Sequence, residues 1–434
     1  MQTHASPTAR SRFSFMNIPI RLPVAAFALA AVLSVTGPAQ AVPAWQAAWT
    51  TSLQSIPDLT DPPALYAKPE VAGRTVRQVI YPDLDGREAR LRISNRYGSR
   101  PLVIEHAVIA RSNGATGLVP GTAAAVTFAG RATLTLAPGA EADSDVIAMD
   151  VVRGKPLAVS LALGPHQTMQ AWHRVANRIN FISKAGDYAQ TVAGTDLRGR
   201  TTHYAWVTQL SVPAAGPGSL VAIGDSITDG MRSTFGARHS WPEDLARLAA
   251  AEGLPPLAVL NAGISGNRLL SDSPCYGERL VGRFDHDAAL PGVRAVILLI
   301  GINDIDFADT PPRRGLDCDA PHTKVTANDL IDGYKRVIEA AHRRGLRIFG
   351  GTLTPAALPP AREALRQTVN QWIRHGGGFD GVIDFDAALR DPQHPTRLLP
   401  AYNSGDGIHP NDAGYAAMAR AVPLTKLRDI LSHP

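Results

Sequence analysis

Cysteine is almost missing from this chain: Cys275 and Cys318 are the only two in 434 residues. That excludes a disulfide-dense scaffold, and two thiols with no Cys-x-x-Cys cannot make a tetrahedral zinc site by themselves. The histidines show no His-Glu-x-x-His or comparable spacing, so no metal is expected. No glycine-rich phosphate loop opens a helix, and no cofactor is expected either. Charge is sparse too. Charged residues make up 19% of the chain against 45% hydrophobic, which excludes a disordered polymer. The net charge of +5 hints at nucleic acid, but Arg10, Arg12 and Arg21 supply three of those charges in a stretch with no acidic residue. What remains has no long block of Lys or Arg, so no nucleic-acid partner is expected.

The early arginines have another explanation. They precede an apolar run at 24–35 that is too short to span a bilayer comfortably. Gly37-Pro38 then break a helix, and Ala39-Gln40-Ala41 place small residues at the two positions a signal peptidase reads. This order is that of a secretory signal peptide over 1–41, with cleavage expected after Ala41 and no stable membrane anchor afterwards. An uncleaved anchor is the competing reading. Met16 is a second candidate start, because Arg21 alone still supplies a positive n-region. The chain is therefore expected to be exported, to the periplasm or the cell exterior. Such a compartment permits a Cys275–Cys318 bridge, which is expected over two free thiols.

At roughly 150 residues per domain, the length predicts two or three domains. The texture divides accordingly. Residues 42–212 read as a β-rich domain: 75–81, 89–94 and 131–136 alternate apolar with polar residues, and 102–109 and 157–163 add further strands. Turn signals at 83–86, 112–114 and 138–139 separate them, predicting a β-sandwich or jelly roll. Residues 213–219 are Pro- and Gly-rich and uncharged, a linker. From 220 to 434 continuous apolar runs alternate with helical stretches. The runs at 220–223, 257–260, 295–300, 348–353 and 381–383 predict strands buried on both faces. One helix is expected to open at Ser240, as its cap, and another to run from about Asn328 to Arg344. The alternation predicts an α/β fold with a parallel sheet between helices, and sites in such sheets lie at the carboxyl ends of the strands.

Polar motifs stand at those ends. Gly224-Asp-Ser226-Ile-Thr-Asp-Gly230 follows the first strand, Asn261-Ala-Gly-Ile-Ser-Gly266-Asn-Arg the second, and Gly301-Ile-Asn303-Asp304 the third. Asp406-Gly-Ile-His409-Pro stands near the C-terminus. A serine hydroxyl needs a base, which His409 supplies near neutral pH, and an imidazole needs a carboxylate such as Asp406 to fix its tautomer. Taken singly, each motif also reads as a turn or a surface histidine. Their joint order at successive strand ends is what points to chemistry.

These segments resemble the blocks of the SGNH (GDSL) hydrolase family over roughly 220–425. The resemblance implies a flavodoxin-like parallel sheet with Ser226 as nucleophile, His409 as base and Asp406 as its partner. It also implies an oxyanion hole made by the N–H groups of Ser226 and Gly266 and the side chain of Asn303. The wider stretches Leu260-Asn-Ala-Gly-Ile-Ser-Gly-Asn-Arg-Leu-Leu270 and Val382-Ile-Asp-Phe-Asp-Ala-Ala-Leu-Arg-Asp-Pro392 are similar to an exported two-domain subgroup associated with carbohydrate esters.

Other residues leave alternatives open. Asp384 and Asp386 follow a strand as possible ligand groups, with Asp386 expected instead to cap the helix at Ala387. Arg268 reads equally as a substrate contact or half of an internal ion pair. Trp45, Trp49, Trp172 and Trp206 suit sugar stacking, but core packing is favoured. The expected activity is that of a serine esterase removing small acyl groups, acetyl first, from a carbohydrate or small-molecule ester. The segments 271–283 and 304–328 are polar and suit hydroxyl-rich leaving groups, although the same residues would equally serve as solvated loops. Competing readings are a lipase or thioesterase for longer chains, and a non-catalytic carbohydrate-binding protein. The two cysteines follow Gly266 and Asn303 in sequence, so a bridge between them would join two loops at the rim of one cleft.

Overall fold

The computed structural model describes residues 44–214 and 218–432, with Arg12 and Ser14 besides. The rest of the expected signal peptide (1–41) and residues 215–217 of the expected linker lie outside the described residues. No helix among those described is long and apolar enough to cross a membrane. Residues Pro43–Pro434 form one compact unit.

Alternating patterns in the first part do become antiparallel strands. One sheet runs in the order Trp45–Thr50, Val207–Pro213, Gly86–Ser94, Glu141–Asp143, with Ile147–Val151 also paired to Gly86–Ser94. The other runs Gly199–Thr201, Asn180–Ala185, Arg74–Ile80, Leu157–Leu163, Leu102–Arg111, Ala124–Val126, with Leu134–Leu136 also on Leu102–Arg111. Leu157–Leu163 is buried at every position, as befits a central strand covered on both faces. Trp172 and Trp206 pack in the core, Trp49 meets Tyr204 edge to face, and Trp45 lies under the Arg90 guanidinium.

The second part holds five parallel strands in the spatial order Ala258–Gly263, Ser219–Gly224, Val293–Leu299, Arg347–Gly351, Gly381–Ile383. Numbered along the chain this order is 2-1-3-4-5, the doubly wound arrangement whose crevice opens beside the first strand. Gly224 is paired in register with Gly263 on one side and Leu299 on the other. Three chains therefore leave the sheet at one level. The main flanking helices are Trp241–Ala251, Leu280–Ala288, Ala327–Arg343, Pro360–Gly376 and Asp412–Ala421. Ala327–Arg343 carries a capping box between Thr326 and Asp329 and ends at Gly345, which adopts positive φ. Ser240 occupies the expected cap position, but its hydroxyl goes to the Glu243 carboxylate at 3.0 Å, not to a backbone N–H.

The two parts share one apolar core, and polar contacts cross the join. The Ala47 N–H donates to the Pro291 carbonyl at 2.8 Å, and the Ser219 hydroxyl to the Ala47 carbonyl at 2.9 Å. Charged groups cross it as well: Arg96 meets Glu278 at 3.1 Å, and Glu141 meets His286 at 3.0 Å.

Candidate active site

Gly224 ends the first strand because the chain must turn sharply there. A Cβ at this position would collide with the Leu299 carbonyl. Asp225 follows in extended backbone and caps the short helix Ser226–Asp229, its carboxylate accepting the Ile227 N–H at 3.0 Å. Burial raises the pKa of Asp225 to about 7. Ser226 is thereby set at the first helical position, largely buried. Its backbone N–H has no acceptor among the described residues.

His409 reaches Ser226 from a C-terminal loop. Its Nε2 lies 2.8 Å from Ser226 Oγ, and its Nδ1 lies 2.8 Å from Asp406 Oδ2. A carboxylate only accepts, so Nδ1 carries the hydrogen and Nε2 is left to accept from the serine hydroxyl. The loop locks the carboxylate in turn: Asp406 Oδ1 accepts the N–H groups of Ile408 (3.0 Å) and His409 (2.9 Å). Burial alone would raise the Asp406 pKa. These N–H groups and the His409 ring overcome it and hold the carboxyl well below its usual range. Arg232, in the loop after the Ser226 helix, adds a contact to Asp406 at 3.2 Å.

The second strand end brings in Gly266. It sits at φ +82°, and a Cβ would run into the Tyr276 ring, so only glycine fits. The turn is closed by the Asn267 N–H on the Ile264 carbonyl at 3.0 Å, and the Gly266 N–H has no acceptor among the described residues. Asn267 is fully buried, donating to the Tyr276 and Glu278 carbonyls at 2.8 Å each and accepting from Arg283 Nε at 3.0 Å. The third strand end adds Asn303, whose Nδ2 donates to the Asn267 carbonyl at 2.9 Å and keeps its second hydrogen unpaired among the described residues. Thus Ser226, His409 and Asp406 come together as one hydrogen-bonded chain, and Gly266 and Asn303 are joined through Asn267.

Several residues without a local signal hold this frame. Arg283 is wholly buried, and its guanidinium donates to the carbonyls of Gly224 and Ala262, at 2.9 Å each, and to Asp287 at 2.8 Å. It thus ties the first two strand ends together. Asp229, the second aspartate of the serine motif, accepts from the Ser265 N–H at 3.0 Å and the Ser265 hydroxyl at 2.6 Å.

Two expectations need correcting. Asp384, not Asp386, caps the helix Phe385–Leu389, accepting the Ala387 N–H at 3.0 Å. Asp386 points inward instead, to Arg366 at 2.7 Å and Arg374 at 2.6 Å, because those cations need a buried anion. Arg268 is not half of a close ion pair among the described residues. It is buried, and its guanidinium donates to the carbonyls of Asp319 (2.9 Å), Asp272 (2.8 Å) and Ala320, stitching the two rim loops together. The same loops carry the Cys275–Cys318 disulfide. Among the described residues no cluster of His, Cys, Asp or Glu is arranged to hold a metal ion.

A parallel sheet in this order, flanked by helices, with these segments on its carboxyl edge, defines an SGNH-type hydrolase. Over residues 222–417 the chain matches the GDSL-like lipase/acylhydrolase family. It is accordingly an ester hydrolase by class. The chain is similar to three solved structures. LAE5, an α/β hydrolase from the metagenome of Lake Arreo, is 20% identical over 50% of this chain and 98% of its own, with TM-score 0.36. A GDSL-like lipase from Bacteroides thetaiotaomicron is 18% identical over 49% and 88%, TM-score 0.34. Axe2, an acetylxylan esterase from Geobacillus stearothermophilus, is 23% identical over 49% and 94%, TM-score 0.34. No curated protein sequence matches the chain.

Proposed function

We propose that the protein is an exported serine esterase that removes small acyl groups, acetyl first, from carbohydrate. The observation that carries the catalytic reading is the chain Asp406–His409–Ser226, with both hydrogen bonds at 2.8 Å. In this mechanism His409 Nε2 takes the hydroxyl proton as Ser226 Oγ attacks the ester carbonyl. The developing oxyanion is met by the N–H groups of Ser226 and Gly266 and by Asn303 Nδ2. Asp406 stays ionised and stabilises the imidazolium, which then protonates the departing alcohol. Water, deprotonated by His409, releases the acid from the acyl-serine and restores the enzyme.

The substrate reading is supported by the character of the rim. Its loops present charged groups such as Asp272, Arg279 and Arg313, with side chains half or more exposed. They are crosslinked rather than free to open as an apolar lid. Polar groups of this kind suit a hydroxyl-rich leaving group. Export is supported by the order of residues in 1–41. A lipase or thioesterase is the second reading, favoured by the exposed Phe235, 52% accessible, in the loop that follows the Ser226 helix. The test is a panel of p-nitrophenyl esters from acetate to decanoate beside acetylated polysaccharides. Acetate release from the polysaccharides, abolished in Ser226→Ala, is the expected result.

A further inference from the structure

No residue of the strand-rich part belongs to the triad, yet one of its side chains reaches the frame of the site. His173 directly follows the strand Ala171–Trp172 and is buried. Its Nδ1 lies 3.0 Å from the Ser52 carbonyl; its Nε2 lies 3.0 Å from the Val175 carbonyl and 3.1 Å from Asp229 Oδ1. Carbonyl and carboxylate oxygens only accept. Both ring nitrogens must therefore carry hydrogen, and the ring is an imidazolium. Burial alone would lower its pKa, but the Asp229 carboxylate together with the Ser52 and Val175 carbonyls reverses this and leaves it raised.

The pair is buried on both sides, with 8% of the His173 and 5% of the Asp229 side chain exposed. Removing one partner of such a pair strands the other charge without solvent, so the geometry is strongly enforced. The other oxygen of Asp229 holds Ser265, by its N–H and its hydroxyl. Ser265 immediately precedes Gly266, and the peptide joining them carries the Gly266 N–H. A cation from one part of the chain thus fixes a carboxylate from the serine motif, which fixes the turn that bears an oxyanion donor.

We propose that His173 is a positioning residue for the esterase reaction. Acting through Asp229 and Ser265, it sets the direction of the Gly266 N–H, and the strand-rich part is thereby a working component of the active site. This rests on the serine-esterase reading. It assigns the strand-rich part a role that a separate substrate-binding module would not have. A merely structural pair would alter stability and leave the per-molecule rate of the folded enzyme alone. An oxyanion donor out of line lowers kcat and leaves substrate binding nearly as it was.

The test uses the full chain with p-nitrophenyl acetate, with fold checked by circular dichroism. In His173→Ala, kcat is expected to fall about 10–100-fold with KM shifted less than about threefold. Ser265→Ala falls in the same direction, and the double variant loses little more than His173→Ala alone, because both act on one donor. His173→Gln keeps a neutral donor toward Asp229 and recovers part of the rate. Should His173→Ala not fold, Ser265→Ala and His173→Gln decide. A kcat within about twofold of the parent in the folded variants, or losses that simply add, overturns the proposal. Activity surviving in Ser226→Ala overturns the esterase mechanism instead, whatever His173 does.

Discussion

Asp304 and Leu269 tie two strand ends of the site together. The Asp304 carboxylate accepts the Leu269 N–H at 2.7 Å and the Leu270 N–H at 3.0 Å. The residue is fully desolvated, which lifts its pKa to about 6 despite these donors. Its neighbour Asn303 therefore faces the Gly266 turn from a fixed position. Asn303→Ala is expected to cost about 10²–10³ in kcat, the scale for one oxyanion donor, with KM changed far less. Steady-state kinetics on p-nitrophenyl acetate check this; a loss confined to KM would assign Asn303 to substrate binding.

In the proposed mechanism Ser226, His409 and Asp406 act as a unit. Ser226→Ala and His409→Ala are each expected to lower kcat by several orders of magnitude, and the double variant to lose little more. Asp406→Asn keeps the shape but offers His409 Nδ1 a group that also donates, so the ring loses its tautomer anchor. A loss on the order of 10⁴ is expected. Because Asp406 titrates well below the ordinary carboxylate range, the acid limb of the parent pH profile does not come from its protonation. Near-normal turnover in Ser226→Ala would sink the mechanism.

The parallel sheet was readable because each strand is a continuous apolar run with a polar motif at its carboxyl end. Ser226, Gly266, Asn303 and the Asp406/His409 loop sit on or near those ends, so a local reading reaches them. The strand-rich part was legible only where strands are long enough to show a period, as in Arg74–Ile80 and Leu102–Arg111. Three-residue strands such as Ala124–Val126, Glu141–Asp143 and Gly199–Thr201 exist because of their partners, not because of a pattern. The supports of the site have no local signature at all. Asp229 and His173 lie 56 residues apart, and Arg283 reads as an ordinary charged residue on an amphipathic helix. Asp386 misled for the same reason: a helix-start aspartate looks like a cap until Arg366 and Arg374 are seen beneath it.

A pH effect on stability follows from the join between the two parts. His286 lies between Asp287 (2.6 Å) and Glu141 (3.0 Å). Burial opposes its charge, but the two carboxylates win and raise its pKa to about 9. A folded-state pKa above the unfolded value means the stabilisation is complete below about pH 6.5. It is lost as pH rises toward about 9. Thermal melts are therefore expected to fall across that interval in the parent and to fall less in His286→Gln. Identical slopes for the two proteins would refute this account.

The Cys275–Cys318 bridge closes a segment of 43 residues. It sits beside Tyr276, the ring against which Gly266 packs. In the chain-entropy description a loop of this size is worth about 2–4 kcal/mol. The double variant Cys275→Ser/Cys318→Ser is expected to lose stability of that order. Arg268 still bridges the same loops, so kcat should drop less than in Asn303→Ala. Urea unfolding with and without reductant measures the first effect; an unchanged midpoint would show that the bridge contributes nothing beyond Arg268.

The acyl group is the remaining choice, and chain-length dependence decides it. Each methylene that enters an apolar groove adds about 0.8 kcal/mol of binding, roughly fourfold in kcat/KM if the contact is made in the transition state. The rim loops are instead held by backbone carbonyls on Arg268 and by a disulfide. That construction limits how far they can part to admit a chain. Acetate esters are therefore expected to give the highest kcat/KM, with a decline toward octanoate. Phe235 supplies the opposing case: an exposed ring on the loop after the Ser226 helix, lining a cavity with Tyr81 and Phe181 of the strand-rich part, can seat either a sugar face or an alkyl chain. Phe235→Ala separates the two. If the ring serves a sugar, KM for acetylated polysaccharide rises while p-nitrophenyl acetate is little affected. If kcat/KM in the parent climbs steadily from acetate to octanoate and Phe235→Ala flattens that climb, the carbohydrate reading fails and the lipase reading takes its place.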